Sequence, residues 1–222
     1  MIREYINKAL YTTIYVRFRY YWEWINDQYY NINTLDNCNG YMYNNVNPSR
    51  NKTKYDDSCH YATKDYIYSR KVIKLLKIQE NDVVYDIGAG MGRFICLMAR
   101  ENVKKCVGIE ISEDLCVIAR KNAVKLRFRN APIEIKCCDA ATADINDGTV
   151  FYLYNPFGIN TMTEFLRNLE LSIMYNPRKI RIAYANSIYS DVFRKSKYLL
   201  LKNEFYTINR SKITFWESNE LF

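Results

Sequence analysis

Three of the chain's 7 glycines fall at alternate positions in one stretch, Val83-Val84-Tyr85-Asp86-Ile87-Gly88-Ala89-Gly90-Met91-Gly92-Arg93-Phe94. An apolar run that ends in an acid and breaks into Gly-x-Gly-x-Gly reads as a buried strand, a tight turn and the start of a helix. Glycine at 88, 90 and 92 removes side chains where the backbone must turn and approach a bound group, and the following helix offers unpaired N–H groups there. The spacing is not that of the dinucleotide fingerprint. The third glycine comes one place early and Arg93 stands where it belongs. The Gly-Lys-Ser/Thr of a phosphate loop is also absent. Asp86 would repel phosphate, and it suits a ligand carrying an ammonium and a sulfonium centre.

Three more polar residues close later apolar runs: Glu110 after Val107-Gly108-Ile109, Asp139 after Cys138, and Asn155 after Tyr154. The elements that position them alternate strand and helix, as in a parallel sheet covered on both faces. Strands are expected at 82–87, 105–111, 133–138, 150–154 and 180–185. Helices are expected at 93–102, 113–126, 161–175 and 191–198, and Ser112 with Glu113 and Asp114 is the expected N-cap of the second. A closing antiparallel hairpin is expected from 205–209 and 213–217. Four polar strand ends then share one edge, which is where open α/β sheets bind ligands.

These motifs, in this order, resemble the class I S-adenosylmethionine-dependent methyltransferases, from about Asp82 onward. The resemblance implies a three-layer, Rossmann-like α/β fold: a mostly parallel seven-stranded sheet with a C-terminal antiparallel hairpin and an N-terminal helical cap. It implies S-adenosylmethionine as cofactor. Gly88, Gly90 and Gly92 would line its methionine and ribose portion, and Asp86 would help hold its amino group. Glu110 would take both ribose hydroxyls, since a carboxylate has two oxygens spaced for neighbouring O–H donors. Asp139 would take the adenine amino group, with Ile111 and Ala140 as neighbours of the ring. Asn155-Pro156-Phe157-Gly158 is related to the Asn/Asp-Pro-Pro-aromatic motif of amino-directed methyltransferases, but has one proline and an early aromatic. Asn155 and Phe157 are therefore the expected residues at the acceptor, the first through its amide and the second by packing on a cation or ring. Asn155, Tyr154 or a residue of the N-terminal extension is the expected aid to deprotonation. The stretch from Tyr61 to Gly92 also resembles the non-SET histone lysine methyltransferases of the disruptor-of-telomeric-silencing type.

The remainder of the chain bounds the reading. Residues 1–80 form the expected helical extension or cap and 81–222 the catalytic domain. In the extension, a helix over 1–30 has Ile2, Ile6, Leu10, Ile14, Tyr21, Trp24 and Ile25 on one broad apolar face. An Asn-rich connector over 31–60 and a helix over 62–78 follow. The extension holds more than half of the 21 Tyr and should lie over the crevice, with Tyr55 and Tyr61 near the cofactor. Seven Cys without a Cys-x-x-Cys pair and a single His, His60, argue against a disulfide framework, a metal site and a Ser-His-Asp triad. No stretch approaches the ~20 apolar residues of a membrane span and no cleavable leader is evident, so a cytoplasmic location is expected. A net charge of +8 favours an anionic or polar acceptor: protein, RNA or a small molecule. The function expected is methyl transfer, more readily to nitrogen. The alternative is a non-catalytic nucleic-acid-binding module using Arg120, Lys121, Lys125, Arg127 and Arg129 with exposed aromatics.

Overall fold

The computed structural model describes residues 2–35, 55, 57–59, 61–207 and 210–219, with side chains of the first helix from residue 16 onward. Most of the expected Asn-rich connector, and His60, lie outside these residues. The element order is α1 (Ile2–Tyr30), α2 (Tyr66–Leu75), β1 (Val83–Ile87), α3 (Arg93–Met98), β2 (Lys105–Glu110), α4 (Glu113–Lys125), β3 (Ile133–Cys137) and β4 (Val150–Tyr154). Then come α5 (Ile159–Tyr175), β5 (Arg181–Ala185), α6 (Ser190–Arg194), β6 (Leu199–Tyr206) and β7 (Lys212–Ser218).

One seven-stranded sheet has the order β3-β2-β1-β4-β5-β7-β6, parallel from β3 to β5 and antiparallel through β7 and β6. All five residues of β1 are buried, because it sits between two parallel neighbours and is covered on both faces. Alternation divides its side chains. Val84 joins the core beneath α2 and α3, while Tyr85 and Ile87 join the core beneath α5 and α6. Ring pairs anchor each layer: Phe94 on Tyr152, and Tyr85 on Phe151. Tyr30, Ile32, Tyr66, Val72, Ile73 and Leu76 of the extension belong to the first of these cores.

Helix ends follow local chemistry. Ser112 caps α4, its Oγ accepting from the Leu115 N–H. At the end of α1 the Ile32 N–H reaches the Asp27 carbonyl and the Asn31 N–H the Gln28 carbonyl, with Asn31 left-handed at φ +58°. That is a Schellman stop made by asparagine.

The structure moves several expected boundaries. Helix α3 ends at Met98 and α6 at Arg194, both shorter than expected, and α2 starts at Tyr66, after its cap Asp65. Strand β6 begins at Leu199 rather than 205. It is an edge strand with a register shift at Leu201/Asn203, so its apolar pattern has no steady period. The largest correction concerns α1. Tyr21, Trp24 and Ile25, expected on a buried apolar face, are exposed, and Glu23, Asn26 and Asp27 are buried instead.

The cause is Arg93, the first residue of α3, which is itself buried. Its guanidinium pairs with Glu23 and Asp27, donates to Thr34 Oγ1 at 2.7 Å and to the Lys64 carbonyl at 3.1 Å, and lies 4.5 Å from the Tyr66 ring centroid. A buried guanidinium without counter-charge is far costlier than exposed rings, so α1 turns its acids inward. Asp27 also accepts from the Tyr66 hydroxyl and from the Thr34 and Leu35 N–H groups. Burial raises the Glu23 pKa and the Arg93 charge opposes that rise.

Candidate functional site

A cleft opens at the C-terminal edge of the sheet. It is lined by the glycine turn at Gly88 and Gly90, by Glu110 and Ile111 after β2, by Asp139 and Ala140 after β3, and by Tyr154 to Phe157 after β4. Segments that are far apart in sequence close it: residues 57–59, Tyr61 and Ala62 from the extension, and Asn186 after β5.

On one side the polar groups are held by nearby main chain. Gly88 and Ala89 both donate to the Ile109 carbonyl at 2.9 Å, which folds the turn back over β2. Glu110 closes it from the other direction: Oε2 accepts from the Gly90 N–H at 2.8 Å, and Oε1 from the Ile111 and Ser112 N–H groups at 2.9 Å. Burial raises the Glu110 pKa, and those three N–H donors pull it back. The Asp139 carboxylate is fixed by the Ala141 N–H at 2.9 Å. Gly90 has φ +55°, and a Cβ there would stand 2.3 Å from the Tyr61 ring, so only glycine admits that lid. Tyr61 is steadied by donating its hydroxyl to the Thr34 carbonyl at 3.0 Å, and Thr34 is the residue that Arg93 holds.

Two expected cofactor contacts are not on the lining. Asp86 is 3% exposed and shares the face of β1 that looks toward α3, where it accepts from the Ile95 N–H. Burial, with Glu110 adding to it, raises its pKa to about 8. It thereby takes an N–H of the first turn of α3. Gly92 is the left-handed N-cap of α3 and packs toward Ala119. The other six expected cofactor residues, and Asn155 and Phe157, do line the cleft.

The opposite side is assembled across the chain. Cys59 N–H donates to the Pro156 carbonyl at 2.9 Å, Gly158 N–H donates to the Asp57 carbonyl at 2.8 Å, and Ser58 bridges Phe157. Gly158, the N-cap of α5, has no side chain to cap with. The Asp57 carboxylate does so, taking the Thr161 N–H at 3.2 Å and the Thr161 hydroxyl. Asn155 has φ +40°, and its Nδ2 lies 3.9 Å from Cys59 Sγ. Its Oδ1 is buried with no partner, a polar atom left to receive a donor. Phe157 is buried with its ring against Phe165, so it is a wall of the cleft more than a free stacking surface. Burial raises the pKa of Tyr154, which was expected as an aid to deprotonation. Lys64 Nζ lies 4.8 Å from the Tyr154 ring centroid.

Sequence reasoning missed Asp57, Cys59 and Asn186. Asn186 could have been found, since it follows β5 at the same edge as the other polar strand ends; Asp57 and Cys59 carry no local signal. Among the described residues no group of three His, Cys, Asp or Glu side chains could hold a metal ion, and no helix is long and apolar enough to cross a membrane.

Comparison with known proteins agrees with this fold. Residues 49–143 match the model of the histone methylation protein DOT1 family. A protein-lysine N-methyltransferase of Saccharolobus islandicus is 32% identical over 94 residues, 42% of this chain and 58% of that protein. An uncharacterized RNA methyltransferase of Nanoarchaeum equitans is 41% identical over 69 residues, 29% of this chain and 15% of that one. The chain thus spans less than two thirds of the length of these relatives. Among solved structures, an RNA methyltransferase from Salinibacter ruber in complex with S-adenosyl-L-homocysteine superposes with a TM-score of 0.55 at 22% identity, over 72% of this chain and 96% of that one. The chain has the Rossmann-like class I methyltransferase fold.

Proposed function

We propose that this chain is an S-adenosylmethionine-dependent methyltransferase acting on a nitrogen acceptor, with residues 81–222 carrying the cofactor fold and the extension closing the acceptor side. The observation that carries the reading is Glu110. Its carboxylate faces the cleft at the end of β2 and is held by three N–H groups, one of them from the glycine turn itself. A buried acid so placed is preorganised to accept neighbouring hydroxyls. The residues fit the cofactor. Gly88 and Gly90 let the turn pack against Pro156 and Tyr61 at the edge of the cleft, Glu110 Oε2 keeps one lone pair for a ribose hydroxyl, Asp139 takes the adenine amino group, and Ile111 and Ala140 border the ring. Asp86 and Gly92 shape the turn without touching the ligand.

When bound, S-adenosylmethionine supplies an activated methyl on a sulfonium, so the protein's task is alignment and exclusion of water. Asn155 Oδ1 accepts an N–H of the acceptor and turns its lone pair toward the methyl. The Pro156 carbonyl already accepts the Cys59 N–H. A planar base amine, which presents two N–H groups to an amide oxygen and a carbonyl together, is therefore served less well than an aliphatic amine. A protein lysine is the acceptor this favours, and the name of the S. islandicus relative supports it.

The test is calorimetric titration with S-adenosylmethionine, S-adenosylhomocysteine and NAD, using Glu110→Ala as control, followed by transfer of labelled methyl to protein and RNA fractions. Binding of the adenosyl ligands that is lost in Glu110→Ala, with label on protein lysine, is expected. Binding of NAD alone would sink the reading, and label confined to RNA would overturn the acceptor.

A further inference from the structure

We propose that the exposed face of α1, continued by the end of α4 and the loop after it, docks single-stranded nucleic acid. Phe18, Tyr21, Trp22, Ile25 and Tyr29 recur at steps of three and four, so they occupy one side of the helix over about 16 Å. All are exposed, Phe18 by 68% and Tyr29 by 54%. Tyr21 stacks on the exposed Trp24 at 5.6 Å between centroids. Tyr29 lies 5.5 Å from Phe128, which is 57% exposed on the loop after α4. The helix ends are joined there: Arg127 N–H donates to the Tyr30 carbonyl and Asn31 Nδ2 to the Lys125 carbonyl, both at 2.9 Å. The rings of α1 and Phe128 are therefore one surface. Contiguous apolar surface of this kind marks a binding face.

Charge selects the partner. The carboxylates of α1 between residues 16 and 30 are Glu23 and Asp27, and both are buried on Arg93. Arg17 is left exposed among the rings. The stretch from Arg120 to Asn130 contains no acid, and its Lys121, Lys125 and Arg127 are exposed. A second copy of the chain would set cation against cation. A single strand brings phosphates for the cations and unpaired bases for the rings, whereas a duplex hides its bases. The surface also leads to the cleft, because Thr34, just beyond α1, holds the Tyr61 lid. It stands whether or not the methyl acceptor is itself nucleic acid.

The test is fluorescence anisotropy of the full chain with labelled oligouridylate and oligothymidylate of about 20 nucleotides. A duplex of the same length and anionic phospholipid vesicles are run in parallel, all across a salt series. Saturable binding of one or both single strands, tighter than the duplex, is expected, and the RNA and DNA arms show which sugar is preferred. Removing rings one at a time, Trp22→Ala, Tyr29→Ala and Phe128→Ala, should weaken binding about tenfold each. Lys125→Gln with Arg127→Gln should lower the log–log salt slope by about 1.4. Melting temperature and S-adenosylhomocysteine titration report whether each variant is folded. If a ring variant fails to fold, quenching of the exposed Trp22 and Trp24 by oligonucleotide in the unaltered chain decides, since Trp216 is buried. Equal binding of duplex, unchanged affinity after ring removal, absence of quenching, or binding of vesicles in place of oligonucleotide would each overturn the proposal. Oligonucleotide binding without adenosyl-ligand binding would sink the methyltransferase reading and leave this one intact.

Discussion

On the proposed cofactor side of the cleft, the groups that hold the site are close neighbours along the chain or across one strand pair: Glu110 with Ile111 and Ser112, Asp139 with Ala141, and the Gly88–Ala89 turn with Ile109. On the proposed acceptor side, Asp57 meets Thr161, Cys59 meets Pro156, and Asn155 keeps an unpartnered buried oxygen. The first side is held by main-chain donors. The second is made by a segment of the extension laid against the loop after β4. Tyr61 joins the two, reaching from Thr34 over Gly90.

The sharpest break of this contrast is Gly90→Arg. The left-handed backbone and the Tyr61 ring at 2.3 Å from a Cβ leave no place for the side chain, so adenosyl-ligand affinity falls by ~100-fold or more. Calorimetry reads it, and retained binding would mean that the turn is not the cofactor wall. Next is Arg93→Met, which strands Glu23 and Asp27 without their buried counter-charge. Denaturant unfolding should show a loss of about 3–5 kcal/mol, most of it regained when Glu23→Gln and Asp27→Asn are added.

Asp86 gives a pH signature. Its folded pKa of about 8 stands above the ordinary 3.8, so the folded chain binds the proton more tightly than the unfolded one. Stability from this group is fully present below about pH 4 and is lost as pH rises toward 8. Asp86→Asn should flatten that fall, which amounts to roughly a few kcal/mol and is read by unfolding at a series of pH values. A matching slope in the variant would place the titration elsewhere. The last variant separates the two sides most directly. Asn155→Ala should lower kcat by ~100-fold, as loss of one aligned polar contact does, while S-adenosylhomocysteine affinity stays within about twofold. A parallel loss of cofactor affinity would merge the two sides into one.

One wall of the cleft was legible in the sequence because its signals are local. Gly88, Gly90, Glu110, Asp139 and the Ser112 cap announce themselves by neighbours within a few positions, and β4 runs from 150 to 154 as its apolar run implies. The burial of Asp86 toward α3 was not legible, because sequence shows that a strand ends in an acid but not which face of the strand the acid takes. Strand β6 was placed late because an edge strand half in solvent has no steady apolar period.

What the sequence determined alone, then, is the succession of strands along the chain, the glycine turn, the Ser112 cap and the row of polar strand ends: features set by backbone sterics and hydrogen bonds over a few residues. Only the tertiary structure decided which side of α1 is buried, that Asp57 caps α5 from a hundred residues away, and that the Asn155 oxygen is left free. Each depends on charges and polar groups meeting across the fold. A buried guanidinium at Arg93 outweighs the exposure of a row of aromatic rings, and no local pattern in α1 contains that partner.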